Sequence, residues 1–346
     1  MKALVMESVG KPMVVKEVAQ PECPPHGAIV RVEASGICRS DWRMWMGDWG
    51  WAGVTPQLPT ILGHEIAGIV EEIGSEVKRF KPGDRVTCPP LQACGACRDC
   101  LSGHSNLCFN IENMCGGYAR YAAVFHADLN LVNFAPNITF FEAASMGCRF
   151  IKAYHGVIDR ARIKADETIV IYGCGGVGLS ATQIAAASGA RVIAVDLDDR
   201  KLVLAKKAGA EHVINAAKID PVQAVMDLTN GGANVTLDAL GIAATCRNAL
   251  LSLRTRGRHV QIGLTTQKEK GEVSIPLDRI VLMEIELVGS SNMQPWRYPA
   301  MLDLVERGKV SPKALITQTL PLNKAFGVIE KMTHYSNVGI SVIDRF

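Results

Sequence analysis

The chain has 346 residues, 48% of them hydrophobic and 21% charged, with a formal net charge of +3. Such a length predicts two domains, and the composition is that of a soluble globular protein. The small charge forms no basic stripe, which argues against nucleic acid as a partner, and no run of about 18 apolar residues is present to span a membrane. The opening "MKALVMESVG" is too short an apolar run for a secretory signal, and Glu7 interrupts it. Eleven cysteines then fit reduced thiols and metal better than a disulfide framework, so a cytoplasmic protein is expected.

In chain order, the first 150 residues read as short strands: "AIVRVEA" at 28–34, "EIAGIVEEIG" at 65–74, "DRVTC" at 84–88 and "YARYAAV" at 118–124. Turn signals such as "KPGD" at 81–84 punctuate them, as in a small β-rich unit. A helix is predicted over 141–158, and then the texture changes. Six short apolar strands, "ETIVIYG", "RVIAVD", "HVI", "NVTLDALG", "GRHVQIGL" and "EIELVGS", alternate with helices. That alternation predicts an α/β doubly wound parallel sheet. After Ser291 come a helix over about 299–307, "ITQTLPL", a helix from Asn323 and a closing strand "ISVIDRF". This tail has no sheet of its own and is expected to pack back on the N-terminal unit. The predicted domains are therefore 1–150 with 291–346, and 151–290.

The second unit opens on Gly173-x-Gly175-x-x-Gly178 between a strand and a helix, with Asp196 ending the next strand. Glycines alone are a weak signal, but this context is that of a dinucleotide turn. Gly173 allows the tight turn, Gly175 the approach of a pyrophosphate, and Gly178 the packing of helix on strand. Gly176 and Val177 begin that helix, whose free amides and dipole favour the phosphates. Asp196 would accept the adenosine ribose hydroxyls and repel a 2′-phosphate, so NAD is favoured; Arg200 and Lys201 keep NADP open.

"CGACRDCLSGHSNLC" supplies Cys94, Cys97, Cys100 and Cys108. Four thiolates at this spacing suit one tetrahedral zinc. An iron–sulfur cluster competes, but Cys108 lies at the wrong spacing and no proline follows it. A nucleic-acid-binding zinc ribbon is disfavoured, because only Arg98 and His104 are cationic in the lobe. Four protein ligands leave no place for substrate, which makes the ion structural. Elsewhere "GICRSD" presents Cys38, "GHEIAG" presents His64 beside Glu65, and "GCR" presents Cys148. Two sulfurs and one nitrogen would leave a fourth zinc position open. Spacing does not join these three, and taken singly each is more often an ordinary core residue.

Resemblance joins them. The chain resembles the zinc-dependent medium-chain alcohol dehydrogenases, in their bacterial, tetrameric branch. "GICRSD", "GHEIAGIVEEIG", "VKRFKPGDRV", the cysteine lobe, "GCR" and "GCGGVG" all occur in the family's order. What the resemblance implies is a GroES-like catalytic domain plus a Rossmann domain, two zinc ions per chain, NAD, and a cleft between the domains. The substrate would be a small alcohol, aldehyde or ketone, and the assembly a homotetramer or a dimer. Cys38, His64 and Cys148 would hold a catalytic zinc that acidifies the alcohol, and Cys94 to Cys108 a structural one. Ser40 would take the hydroxyl proton, Asp41 would hold His64 in its ligating tautomer, Glu65 would be the carboxylate near the metal, and Arg39 would reach the pyrophosphate.

The chain departs from its relatives in three places. Arg43 stands where many have a histidine that ends the proton relay, and an arginine cannot shuttle a proton near neutrality. Ile340 replaces a cation near the cofactor. Pro90 replaces a large aromatic over the substrate, while Trp49 and Trp51 are expected to wall the pocket or simply to pack their loop. A polyol or threonine dehydrogenase and a non-catalytic dinucleotide binder are the alternatives; the Trp-rich loop and the intact Cys38, His64 and Cys148 set argue against them.

Overall fold

The computed structural model describes residues 1–111 and 116–346. It divides into two compact units, Met1–Ile151 with Asn292–Phe346, and Lys152–Ser291. Among the described residues no helix is long and apolar enough to cross a membrane.

In the first unit the strands are β1 (Lys2–Met6), β2 (Val14–Glu17), β3 (Ala28–Ile37), β4 (Thr60–Ile61), β5 (Glu65–Ile73), β6 (Arg85–Thr87), β7 (Tyr121–Val124) and β8 (Val132–Asn133). β2, β1 and β4 form a small sheet of their own. The long β3 pairs antiparallel with β5, and Gly36 lies opposite Glu65. Val30, Val32, Ile66, Val70 and Val86 fill the core beneath them, β-branched side chains suited to a buried pleat. β3 runs directly into helix α1 (Arg39–Met46), which Gly47 stops in the left-handed conformation.

A helical run beginning at α2 (Phe140–Ser145) closes this unit's chain-forward half. Thr139 and Glu142 form a capping box at its start: the Glu142 amide donates to Thr139 Oγ1 at 3.2 Å, and the Thr139 amide to Glu142 Oε2 at 3.0 Å. The predicted helix over 141–158 is thus present, but its turn Met146–Phe150 is π-helical. Such a bulge rotates the side chains that follow and recurs at functional sites.

The second unit holds β9 (Thr168–Tyr172), β10 (Arg191–Asp196), β11 (His212–Asn215), β12 (Ala233–Asp238), β13 (Leu253–Gln261) and β14 (Glu286–Gly289). They form one sheet in the order β11-β10-β9-β12-β13-β14, with every pairing parallel. All six predicted strands are present. β9 is buried along its whole length, as a strand covered on both faces must be. Helix α3 (Gly176–Ala187) returns from β9 to β10, and α4 (Asp199–Lys207) from β10 to β11. The chain leaves β9 toward β10 on one side and later fills β12 on the other. The carboxyl end of β9 is therefore the topological switch point, where doubly wound sheets bind ligands.

The tail returns to the first unit as β15 (Ile316–Pro321) and β16 (Ile340–Arg345). β16 lies antiparallel to β3, with Ser341 opposite Ile37. The last strand thus braces the end of the strand that delivers Cys38.

Candidate active site

Cys38 caps α1 at the point where β3 ends. Asp41, one turn on, folds back so that its Oδ2 accepts the Cys38 amide at 3.0 Å and the Tyr118 hydroxyl at 2.6 Å. Its Oδ1 accepts the Gly63 amide at 3.1 Å and lies 3.0 Å from His64 Nδ1. The carboxylate is fully buried. Burial alone would raise its pKa, but His64, Tyr118 and the Cys38 amide outweigh burial and hold it below its ordinary value. Asp41 accepts from Nδ1–H and so turns His64 Nε2 into the site. Burial lowers the ring's pKa, but Asp41 and Cys38 outweigh burial and raise it well above its ordinary value, so a cation there would have to displace the Nε2 proton. That Nε2 is buried and has no hydrogen-bond partner.

Cys38 Sγ and Cys148 Sγ are 3.9 Å apart, and one ligand atom from each of Cys38, His64, Glu65 and Cys148 lies within 4.8 Å of the others. Cys148 reaches this place from the π turn. Gly147 lets that turn press on β5, since a Cβ there would meet Glu65 Cα at 2.9 Å. Zinc fits this donor set. Two thiolates about 2.3 Å from a tetrahedral ion would be about 3.8 Å apart. The Cys148 sulfur and burial together push the Cys38 thiol up to about 12. Two thiolates in so dry a site therefore call for a divalent cation between them.

Glu65 is fully buried and paired with Arg149, whose amide also donates to Glu65 Oε1 at 3.3 Å and whose Nη1 donates to the Ile37 carbonyl at 2.9 Å. Burial pushes the Glu65 carboxyl up to about 7, and Arg149 pulls against that rise. Ser40 Oγ lies 3.7 Å from Cys38 Sγ. Tyr118 and Arg149 were not singled out from the sequence. Tyr118 is one of many tyrosines to a reader of sequence, whereas Arg149 lay inside the quoted "GCR" and its charge beside two cysteines was a usable signal.

The cysteine lobe closes on itself. Sulfur separations are 3.5 Å for Cys97–Cys100, 3.8 Å for Cys97–Cys108 and 3.6 Å for Cys108–Cys94. Those are edges of a tetrahedron around one ion, too tight for thiolates spread over a cluster of several irons. The Ala96 amide directed at Cys94 lowers that thiol to about 6, favouring the thiolate a metal needs. Buried Asn130 anchors the loop, accepting the Ala93 amide at 3.0 Å and donating to the Ala93 carbonyl at 3.0 Å.

In the second unit α3 begins at Gly176, with Gly175, which has no side chain to bond the first amides, as its cap. A Cβ on Gly178 would lie 1.7 Å from the Gly173 carbonyl oxygen, so the helix reaches the strand only through glycine, while one on Gly175 would meet nothing within 4 Å. The turn is therefore tight beneath and open above, the shape a pyrophosphate needs. Asp196 Oδ2 accepts the Cys174 amide at 2.7 Å, and its Oδ1 those of Leu197 and Asp198 at 2.8 and 3.1 Å. Arg200 grips Asp198 through Nε and Nη2, at distances from 2.6 to 3.2 Å. Lys201 follows it on α4.

Arg39 is stacked between the rings of Trp42 and Tyr335, at 4.2 and 3.8 Å, and donates to the Met332 carbonyl. Arg43 is buried, paired with Asp48 at 3.2 Å and set 5.4 Å from the Trp49 ring. Trp45 is a core residue against Phe326, Trp51 is exposed, Pro90 is buried just beyond β6, and Ile340 is buried at the start of β16.

Known proteins resemble the chain in both of its units. The family described as zinc-binding dehydrogenase matches residues 176–307, and the alcohol dehydrogenase GroES-like domain matches residues 24–134. An alcohol dehydrogenase of Geobacillus stearothermophilus is 37% identical over 337 residues, covering 96% of each chain. An NAD-dependent alcohol dehydrogenase of Sulfurisphaera tokodaii is 32% identical, covering 99% of each. The alcohol dehydrogenase TADH from Thermus sp. ATN1 superposes with a TM-score of 0.89 at 29% identity, over 100% of both chains. A GroES-like unit and a Rossmann unit in one chain, with two groups of residues in the first that could hold a metal ion, define a class of zinc-containing oxidoreductases. The chain belongs to the zinc-binding alcohol dehydrogenase family.

Proposed function

We propose that this enzyme moves a hydride reversibly between NAD and a primary or secondary alcohol, or the corresponding aldehyde or ketone. The observation that carries the reading is the convergence of Cys38, Cys148 and the Nε2 of His64, with Asp41 fixing the ring. These three residues would hold a catalytic zinc, and Cys94, Cys97, Cys100 and Cys108 a structural one. Bound there, zinc supplies Lewis acidity to the substrate's oxygen, and NAD supplies the hydride acceptor. Ser40 Oγ, next to the Cys38 sulfur, would receive the hydroxyl proton. Arg43 cannot carry that proton further, because its guanidinium stays charged and is paired with Asp48. From Ser40 the proton would have to leave by a route that avoids Arg43.

Residues 152–291 would bind the dinucleotide, with Gly173, Gly175, Gly176, Val177 and Gly178 around the pyrophosphate and Asp196 on the adenosine ribose. Arg200 is occupied by Asp198, which weakens its pull on a 2′-phosphate and favours NAD over NADP. Arg39, Trp49, Trp51 and Pro90 complete the proposed contacts, the first toward the cofactor and the others toward the substrate. We place the enzyme in the cytoplasm, since none of the ten described cysteines forms a disulfide. Self-association, into a homotetramer or a dimer, is supported by one-sided bonding of β14 among the described residues and by exposed Leu277, Val281 and Leu282 nearby.

Metal analysis joined to activity tests the core of this reading. The purified protein should hold two zinc ions per chain and make NADH from NAD when an alcohol is added. Cys148→Ala should keep one zinc and lose turnover. Two zinc ions retained in that variant, or alcohol oxidation unaffected, would overturn the assignment.

A further inference from the structure

At the carboxyl end of the parallel sheet, Asp238 closes β12 and Gln261 closes β13, opposite each other in register. A chain of polar side chains runs inward from them. Gln261 Nε2 donates to Asp238 Oδ2 at 3.0 Å and to the Gly263 carbonyl at 2.8 Å. Its Oε1 lies 3.0 Å from His259 Nε2, and His259 Nδ1 lies 2.9 Å from Thr236 Oγ1. Thr236, Asp238 and His259 are fully buried.

Only one pattern of protons satisfies every member. Gln261 presents its amide protons to Asp238 and Gly263, so its Oε1 must accept from His259 Nε2–H. His259 Nδ1 is then an acceptor, and Thr236 donates to it. Burial lowers the His259 pKa and keeps the ring neutral, as this pattern needs. At the other end, Asp238 Oδ1 accepts the amides of Leu240 and Gly241 at 2.8 and 3.2 Å. The loops after β12 and β13 touch backbone to backbone, since a Cβ on Gly263 would lie 2.2 Å from the Gly241 nitrogen. A four-residue network thus holds two loops in one arrangement.

These loops lie beside the switch point, and Leu240 packs over Gly173, 2.7 Å from where a Cβ would be. Asp196 and the exposed Leu197 occupy the other half of the same sheet edge, and Leu264 is 60% exposed next to Gly263. A dinucleotide crossing the switch point with its adenosine at Asp196 must extend its second half over β12 and β13. We propose that Thr236, His259, Gln261 and Asp238 are positioning residues, a buried relay that presets the two loops as a seat for the nicotinamide half of the cofactor. This rests on the NAD reading above. None of the four need touch the ligand; they remove the ordering that the loops would otherwise undergo on binding.

The test compares NADH with ADP-ribose, which keeps the adenosine and pyrophosphate but lacks the pyridine ring. Calorimetric titration of the zinc-loaded protein should show Gln261→Met weakening NADH about tenfold, the equivalent of 1.4 kcal/mol, with ADP-ribose within about twofold of the parent. Thr236→Val, at the far end of the relay, should shift the two ligands in the same unequal way, by a smaller factor. A folded variant is recognised by its ADP-ribose binding. Equal weakening of both ligands, or no weakening of either, would overturn the relay. A parent protein that fails to bind ADP-ribose would overturn the cofactor reading itself, and the seat with it.

Discussion

Asp41 accepts four hydrogen bonds in a fully buried position, from three separate stretches of chain: Cys38, Gly63 with His64, and Tyr118. Removing the carboxylate frees the His64 ring and strands a tyrosine hydroxyl and two amides. Asp41→Ala should therefore weaken zinc at the Cys38 site about 10–100-fold, while the cysteine lobe keeps its ion; competitive chelation followed by metal analysis reads both. Tyr118→Phe removes one charged hydrogen bond and should destabilise folding by about 1.5–3 kcal/mol in denaturant titration. At this scale the sequence told much about the ligands and little about what holds them. Cys38, His64, Glu65 and Cys148 sit in distinctive motifs, so resemblance could join them across more than a hundred residues. Tyr118 lies in no motif, and only the fold brings its hydroxyl to Asp41. The Trp-rich loop was ambiguous for the same reason: Trp45 is core, Trp42 stacks on Arg39, and Trp51 is exposed. Trp51→Ala should alter relative kcat/KM across a ladder of alcohols, and an unchanged profile would remove it from the pocket.

Among the elements, the π turn at Met146–Phe150 has the sharpest consequence. It sets Cys148 toward Cys38, and it packs against β5 only because residue 147 has no side chain. Gly147→Ala should displace the turn and release the metal of the Cys38 site, leaving one zinc per chain in a protein that still folds. A variant that retained both ions would show that the turn can shift without moving Cys148. Periodicity could predict a helix here, but not its underwound π turn, because one residue added to a turn leaves the local run of apolar residues looking helical. The six parallel strands were legible for the opposite reason. Each is a short apolar run buried on both faces between helices, and that is the strongest pattern a single sequence offers.

At the scale of the whole molecule, β14 is bonded on one side only, and Leu277, Val281 and Leu282 stand 62, 68 and 82% exposed close by in the chain. Apolar surface of this kind beside an open edge marks association. Leu282→Lys should lower the molecular mass measured by light scattering, while the far-ultraviolet spectrum stays that of the parent. An unchanged mass would move the interface elsewhere. Composition and spacing carried no information on this point, because an exposed leucine and a buried one look alike in sequence.

The position of β16 beside β3 also sets an order of events during translation. Residues 152–291 can collapse as a complete sheet as soon as they leave the ribosome, because every strand they need lies within them. The unit that carries Cys38 cannot, since the brace beside Ile37 is synthesised some three hundred residues after it. Metal capture at Cys38 should therefore be among the last steps of biogenesis, and nascent chains stalled before residue 340 should carry a finished Rossmann sheet and an unloaded Cys38 site.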